Sequence, residues 1–131
     1  SKDWYLHLDY LSSWYQGLSK VEEKIGKIKQ QSKYVIWGGG AHTEFLFQKT
    51  SFFHQRNKCK FIIVDGDNLK HGNSWRGIDI FSPKILNKLN WDDTALLISS
   101  YGSQNIIKKA AIEIGVPKQK IFHLYDKIIH Y

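Results

Sequence analysis

Short apolar runs alternate with glycine-rich turns and helix-like stretches along most of this chain. Continuous apolar runs bounded by turn residues are typical of strands that are covered on both faces of a sheet. The pattern predicts five strands, at residues 34–37, 61–64, 77–81, 94–99 and 121–124. Apolar residues at helical spacing predict helices between them, at residues 44–53, from Pro83 onward and at residues 104–114.

This alternation of strands and helices predicts an α/β domain of three layers, with helices on both faces of a mainly parallel sheet. We expect a Rossmann-like fold whose five strands take the order 3-2-1-4-5. Parallel neighbours usually need a crossover of about a dozen residues or more. Residues 68–76 are polar and too few for a full crossover helix. We therefore expect the third strand to be short or to lie at an edge.

Residues 1–32 form a separate opening segment, and residues 33–131 form the Rossmann-like domain; together they are expected to make one globular unit, which can be part of a larger protein. The segment predicts an amphipathic helix, or two helices with a break near Gly17 and a cap at Ser19. It holds more Trp and Tyr than one helical face can bury. These aromatic residues either pack in the core or contact another domain or subunit, and the sequence leaves both alternatives open. The helical spacing is set by Trp4, Leu8, Leu11, Tyr15, Leu18, Val21, Ile25 and Ile28.

The turn between the first strand and the first sheet-covering helix consists of three glycines. In a strand-turn-helix unit, such glycines allow a tight turn and let a ligand's phosphates approach free N–H groups at the helix start. Thr43 stands where the third glycine of G-x-G-x-x-G would fall, and its side chain is expected to widen the helix–strand spacing or to hydrogen-bond locally. The alternative is a turn that binds nothing. The candidate phosphate site comprises Gly38, Gly39, Gly40, Ala41, His42 and Thr43, with N–H bonds expected from Gly39 to His42.

Polar residues also follow the ends of two other predicted strands, where open α/β sheets bind their ligands. Asp65 comes 25 residues after Gly40, near the place where dinucleotide folds hold a ribose hydroxyl; an ordinary turn aspartate is the alternative. Ser99 and Ser100 follow the fourth strand and are further ligand-binding candidates, with Tyr101 and Gly102 behind them.

His42 is the one candidate acid–base residue. The positive end of a helix lowers the pKa of a histidine and would keep it neutral beside a phosphate. The alternative is that His42 only supplies polarity at the helix start. The sequence assigns no catalytic role to any other residue.

Composition narrows the function classes. The net charge is +7, yet only two of the 19 basic residues are arginine and the lysines are scattered, which disfavours nucleic-acid binding and suits attraction of a small anion. No apolar run approaches the roughly 20 residues that span a bilayer, so we expect a protein without a membrane span. The single cysteine, Cys59, suits a reducing compartment, and a cytoplasmic location is expected. No metal-ligand spacing is visible among the histidines.

Read in order, the stretches IWGGGAHTEFL, IIVDGDNLKHG, RGIDIFSPKIL and ALLISS resemble a bacterial Rossmann-like module associated with nucleotide sugars. About residues 20–125 are similar to the carboxyl-terminal domain of sugar C-methyltransferases and to the amino-terminal domain of sugar O- and N-acetyltransferases, whose glycine turn often carries a histidine comparable to His42. The chain has no cysteine cluster for the methyltransferases' zinc site, no methyl-donor domain and no acetyltransferase repeat. The methyltransferase pattern is matched by Asp65, Lys70, Gly72, Gly77, Ile78, Ile80 and Pro83.

The resemblance implies a binding domain for a nucleotide-linked sugar or related nucleotide, within a larger transferase of polysaccharide biosynthesis. The chain alone is expected to show no turnover, and no cofactor is certain. One alternative is an NAD(P)-binding oxidoreductase fragment, against which stands the lack of a Tyr-x-x-x-Lys set after the fourth strand. The other is an assembly module without a ligand, which would use the aromatic amino-terminal helix.

Overall fold

The computed structural model of this chain describes residues 16–56 and 58–126. Helix α1 occupies residues 16–26, α2 spans Ala41–Lys49 and α3 spans Gln104–Ile114. The strands are β1 (Lys33–Trp37), β2 (Lys60–Val64), β3 (Ser74–Trp75), β4 (Ile78–Phe81), β5 (Thr94–Ile98) and β6 (Ile121–Phe122). Short 3-10 helices lie in the connections, at His54–Arg56, Asn68–Lys70, Pro83–Lys88, Trp91–Asp93 and Lys118–Lys120.

The strands form one sheet in the order β3-β4-β2-β1-β5-β6. All neighbours are parallel except β3 and β4. β1 is central, because it pairs along its whole length with β2 on one side and β5 on the other. The mixed α/β architecture with a mostly parallel sheet, predicted from the alternating pattern, is confirmed and is consistent with a Rossmann-like fold.

The strand count and order differ from the prediction of five strands ordered 3-2-1-4-5. Ser74 and Trp75 add a sixth strand, which pairs antiparallel with β4 at the edge. Arg76 and Gly77 join the two strands and have positive φ values of 47° and 80°, as a two-residue hairpin turn requires. This hairpin and the 3-10 helix at Asn68–Lys70 take the place of the missing crossover helix.

Three other predicted elements differ in length or in type from those in the structure. Helix α2 starts at Ala41 and ends at Lys49, three residues before its predicted start and four before its predicted end. The helix predicted from Pro83 is a six-residue 3-10 helix, with the Ser82 hydroxyl accepting from the Lys84 N–H. The last strand has only two residues. Helix α3 has the predicted bounds and ends at Gly115, whose φ of 119° is left-handed.

Two apolar cores cover the two faces of the sheet, because successive side chains of a strand point to opposite faces. Tyr34 and Ile36 of β1 face the core that contains α1 and α2, whereas Val35 and Trp37 face the core that contains α3. Helical elements on both faces make the three predicted layers.

Helix α1 belongs to the first core, since Val21 and Ile25 are buried there. The described helix runs through Gly17 and Ser19 without a break, so the predicted cap at Ser19 is wrong. Residues 1–15, which carry most of the aromatic excess, lie outside the described residues. Within the described ranges, no helix combines the length and the apolar character needed to cross a membrane.

Arg56 connects the end of α1 to the rest of the domain through hydrogen bonds. Its guanidinium donates to the carbonyl oxygens of Ile25 at 3.0 Å, Ile28 at 3.3 Å and Phe52 at 3.4 Å. The same group lies over the rings of Tyr34 and Phe52. A buried cation is costly unless its donors are satisfied. Backbone carbonyls and aromatic faces serve the two terminal nitrogens, whereas Nε has no hydrogen-bond partner among the described residues.

Candidate functional site

A cavity of about 360 Å³ opens at the carboxyl ends of β1 and β5. The glycine turn forms one side, the loop after β5 forms the other, and Lys70 reaches it from the connection after β2. Two predicted site residues, Gly39 and Thr43, do not line it. The structure brings the other seven together there: Gly38, Gly40, Ala41, His42, Asp65, Ser99 and Ser100.

The three glycines of the turn have different surroundings. Gly38 has a φ of 132°, and a Cβ added there would lie 2.7 Å from the carbonyl oxygen of Ser99. A Cβ at Gly39 would lie 3.1 Å from the Ile80 side chain. Gly40 has an extended backbone, and its Cβ would make only an ordinary 3.5 Å contact with Lys70 Nζ. Gly38 is therefore required by the close approach of β1 and β5, while Gly40 leaves space for a ligand.

The start of α2 gives the cavity a positive wall. The helix begins at Ala41, and no side-chain hydrogen bond caps it. The first N–H groups of an α-helix have no partner within the helix and carry partial positive charge. The Lys70 ammonium lies beside Gly40 at the same place. These groups together suit an anion such as a phosphate.

Asp65 lies beside this wall at the end of β2. Its Oδ2 accepts from the Gly39 N–H at 2.7 Å and lies 3.5 Å from Lys70 Nζ, and its Oδ1 accepts from the Asp67 N–H at 2.8 Å. Burial alone would raise the pKa of Asp65, but the two N–H groups and Lys70 outweigh it and lower the pKa. The Gly39 N–H, predicted to bind phosphate, donates to Asp65 in this structure. Phosphate binding by Gly39 stays a prediction.

His42 lies in a chain of side-chain hydrogen bonds. Its Nδ1 is 2.8 Å from Ser99 Oγ, and its Nε2 is 2.6 Å from the Tyr125 hydroxyl. Ser99 Oγ is also 2.8 Å from Thr43 Oγ1, and the Thr43 hydroxyl donates to the Gly38 carbonyl. The local hydrogen bond expected of Thr43 is thus present, and it ties the helix start to the end of β1.

Proton counting assigns the direction of this chain. A hydroxyl has one proton to donate, and Thr43 gives its proton to Gly38. Ser99 then donates to Thr43 and accepts from the Nδ1–H of His42, so Nε2 accepts from Tyr125. Burial lowers the pKa of His42 to about 4, which keeps the ring neutral as this arrangement requires. The predicted lowering is present, with burial rather than the helix end as its cause.

The same assignment bears on catalysis. A nucleophilic serine needs a neighbouring nitrogen that can take its proton. In this assignment Ser99 instead accepts a hydrogen bond from His42, and both ring nitrogens of His42 are occupied by Ser99 and Tyr125. The arrangement holds α2, β5 and the segment around Tyr125 together and does not activate Ser99.

Lys70 and Tyr125 are two residues of this region that the sequence did not mark as site residues. Lys70 faces the cavity, and the Lys-x-Gly spacing with Gly72 was the signal that could have identified it. Tyr125 touches His42 from the end of the described chain, and its burial raises its pKa to about 12. No pattern around Tyr125 marks that role. Among the described residues, no cluster of three or more His, Cys, Asp or Glu side chains is placed to hold a metal ion.

Comparison with known proteins gives one family match, since the family described as C2185-like, N-terminal, matches residues 30–122. No curated protein matches significantly. Solved structures that are similar include UDP-D-quinovosamine 4-dehydrogenase from Vibrio fischeri, at 22% identity and a TM-score of 0.49, with 71% of this chain and 77% of that chain covered. Another is the acetyltransferase domain of PglB from Neisseria gonorrhoeae FA1090 in complex with acetyl coenzyme A, at 20% identity and a TM-score of 0.45, with 66% of this chain and 41% of that chain covered.

Proposed function

This chain belongs to the C2185-like N-terminal family, and we propose that its Rossmann-like domain binds a nucleotide-linked sugar or a related nucleotide. In this proposal the domain is a non-catalytic part of a larger bacterial transferase of glycan biosynthesis. The cavity at the carboxyl ends of β1 and β5 carries the proposal, because the start of α2, Lys70 and Asp65 converge there.

The charges of the cavity suit a phosphorylated ligand. An anion gains from the unpaired N–H groups at the start of α2 and from the Lys70 ammonium. Ala41 and His42 supply N–H groups there, whereas the Gly39 N–H is already bonded to Asp65. Oδ1 of Asp65 accepts only from the Asp67 N–H among the described residues and retains a lone pair, so the carboxylate can accept from a ribose hydroxyl next to the phosphate.

One feature favours a nucleotide sugar over NAD(P). Thr43 replaces the glycine that lets helix and strand pack closely in dinucleotide folds, and its hydroxyl is bonded to Gly38.

The test is calorimetry of the intact chain with UDP-N-acetylglucosamine, dTDP-glucose, NAD and NADP. We expect a UDP- or dTDP-sugar to bind best. Lys70→Met removes a charged hydrogen-bond donor and should weaken that binding roughly tenfold to a hundredfold. Gly40→Val should abolish it, because the added side chain projects toward Lys70 and fills the space of the phosphate.

Lys118→Met is the matched control, since Lys118 is exposed and lies before β6 at the opposite edge of the sheet. The affinity of Lys118→Met for the nucleotide sugar should equal that of the unchanged chain. Thermal unfolding of each variant checks that the fold is kept. A preference for NAD or NADP would support the oxidoreductase alternative, and binding of none of the four ligands would refute the proposal.

A further inference from the structure

The two ends of the cavity differ in chemistry. At the β2 end, Lys70 and Asp65 form an ion pair with 3.5 Å between Nζ and Oδ2. At the β5 end, the loop leading into α3 contributes Ser100, Tyr101 and Ser103, and it contributes no charged side chain to the lining. The charged end suits the phosphates and ribose, so the uncharged end is left for the group that the diphosphate carries.

Tyr101 presents a fixed aromatic face at this end. Its side chain is 50% exposed and lines the cavity. The ring packs against the Tyr125 ring in a T-shaped arrangement, with 4.8 Å between centroids and 80° between planes. Tyr125 is in turn bonded to His42. A half-exposed ring that is oriented by a half-buried neighbour can stack on a ligand without first being ordered.

The serines beside Tyr101 supply hydroxyl groups. Ser100 Oγ accepts from the Ser103 N–H at 3.0 Å, and that bond leaves the Ser100 proton free to be donated. A serine hydroxyl both donates and accepts, as a sugar hydroxyl does. A pyranose has hydroxyls at its edge and a face of C–H groups, whose partial positive charge is attracted to the negative face of an aromatic ring.

We infer that the β5 end of the cavity binds the sugar of the nucleotide sugar, with the Tyr101 ring stacked on its C–H face and Ser100 bonded to its hydroxyls. This inference rests on the proposed function and specifies which end of the same site holds the sugar. The nucleotide then lies toward Asp65 and Lys70.

Calorimetry with UDP, UDP-glucose and UDP-N-acetylglucosamine tests this placement. At least one UDP-hexose should bind more tightly than UDP to the unchanged chain. Tyr101→Ala should reduce the affinity for that UDP-hexose roughly threefold to tenfold and leave the affinity for UDP unchanged. Tyr101→Phe keeps the ring and should retain the preference for the sugar.

Ile106→Ala is the matched control, because Ile106 is an exposed apolar residue of the same region, 73% exposed, and does not line the cavity. If Tyr101→Ala weakens UDP and the UDP-hexose equally, the ring contacts the nucleotide, and the inference is wrong. It is also wrong if neither UDP-hexose binds better than UDP, or if Tyr101→Ala changes nothing. In each of those cases UDP binding that depends on Lys70 would still support the proposed function, whereas no binding of any ligand would refute both.

Discussion

Gly38 is a single residue on which the contact between β1 and β5 depends. Gly38→Ala would combine a left-handed φ of 132° with a Cβ only 2.7 Å from the Ser99 carbonyl oxygen. We expect it to lower the free energy of unfolding by about 2 to 4 kcal/mol, as measured by urea unfolding. Gly66→Ala is the control, because a Cβ there meets nothing within 4 Å. Equal losses for the two variants would contradict this account of Gly38.

His42 should make stability depend on pH. Its pKa is lowered from 6.5 to about 4 by burial, so between these values the unfolded chain binds more protons than the folded chain. Stability therefore rises with pH in this window and is lost as pH falls from about 6.5 toward 4. Because the ring is not fully buried, we expect a loss on the order of 1 to 2 kcal/mol between pH 7 and pH 5, measured by urea unfolding at both values.

His42→Gln should remove this part of the pH dependence, and His54→Gln, at an exposed histidine, should keep it. His123, whose pKa is also lowered by burial, contributes equally to both variants. The same pH dependence in His42→Gln as in the unchanged chain would show that burial at this position does not disfavour the charged ring.

At the scale of elements, hydrogen bonds and a cation–π contact hold the hairpin of β3 and β4 against α2. Glu44 accepts from Trp75 Nε1 at 3.0 Å and from two nitrogens of Arg76, at 3.2 Å and 2.7 Å. Hydrogen bonds from Arg76 and Gln48 lower the pKa of Glu44 to about 2. The Arg76 guanidinium also lies 4.0 Å from the centre of the Phe47 ring. These contacts hold Arg76 in a left-handed conformation that a residue other than glycine seldom adopts.

Arg76→Gly and Arg76→Ala both remove the contacts of the Arg76 side chain, but only alanine retains the cost of the left-handed φ of 47°. We expect Arg76→Ala to unfold at a temperature roughly 2 to 5 °C below that of Arg76→Gly. Thermal unfolding followed by circular dichroism measures the difference. A higher melting temperature for Arg76→Ala would show that the turn is not strained at this position.

The elements differ in how far local sequence determines them. Helix α3 was predicted with its bounds because Gly115 and Pro117 end it by backbone geometry, whatever packs around it. Strand β3 was missed because two residues show no periodicity, and because Arg76-Gly77 is not one of the common hairpin turn pairs. That strand exists through pairing with β4 and contact with α2, which a local pattern does not contain.

At the scale of the whole molecule, α1 and the sheet should unfold together. Ile25 is fully buried in the core shared by α1, α2 and the sheet. We expect Ile25→Ala to cost about 2 to 5 kcal/mol, and Ile106→Ala, at an exposed position, to change stability by no more than about 0.5 kcal/mol. Urea unfolding followed by circular dichroism and by Trp fluorescence should give coincident transitions. Separate transitions for the two signals would make α1 an independent unit.

The parts of the candidate site that depend on sheet topology could be predicted from the sequence. Parallel strands end at the same edge of a sheet, so Gly40, Asp65 and Ser99 meet because their strands are neighbours. Lys70 reaches the cavity through a connection that replaces a crossover helix, and Tyr125 reaches His42 from beyond the last strand. Both contacts depend on the path of irregular chain, which neither periodicity nor spacing specifies.

The outermost strands, β3 and β6, have two residues each. Long, flat edge strands offer unpaired N–H and C=O groups to other chains and promote aggregation. The apolar five-residue strand β1 lies in the interior of the sheet and is paired along its whole length on both sides. Its neighbour β2 is paired with β1 along its whole length but with β4 only at Ile63 and Val64. The unpaired edges of the described sheet are therefore short segments, and we expect concentrated solutions of the domain to resist association by strand addition.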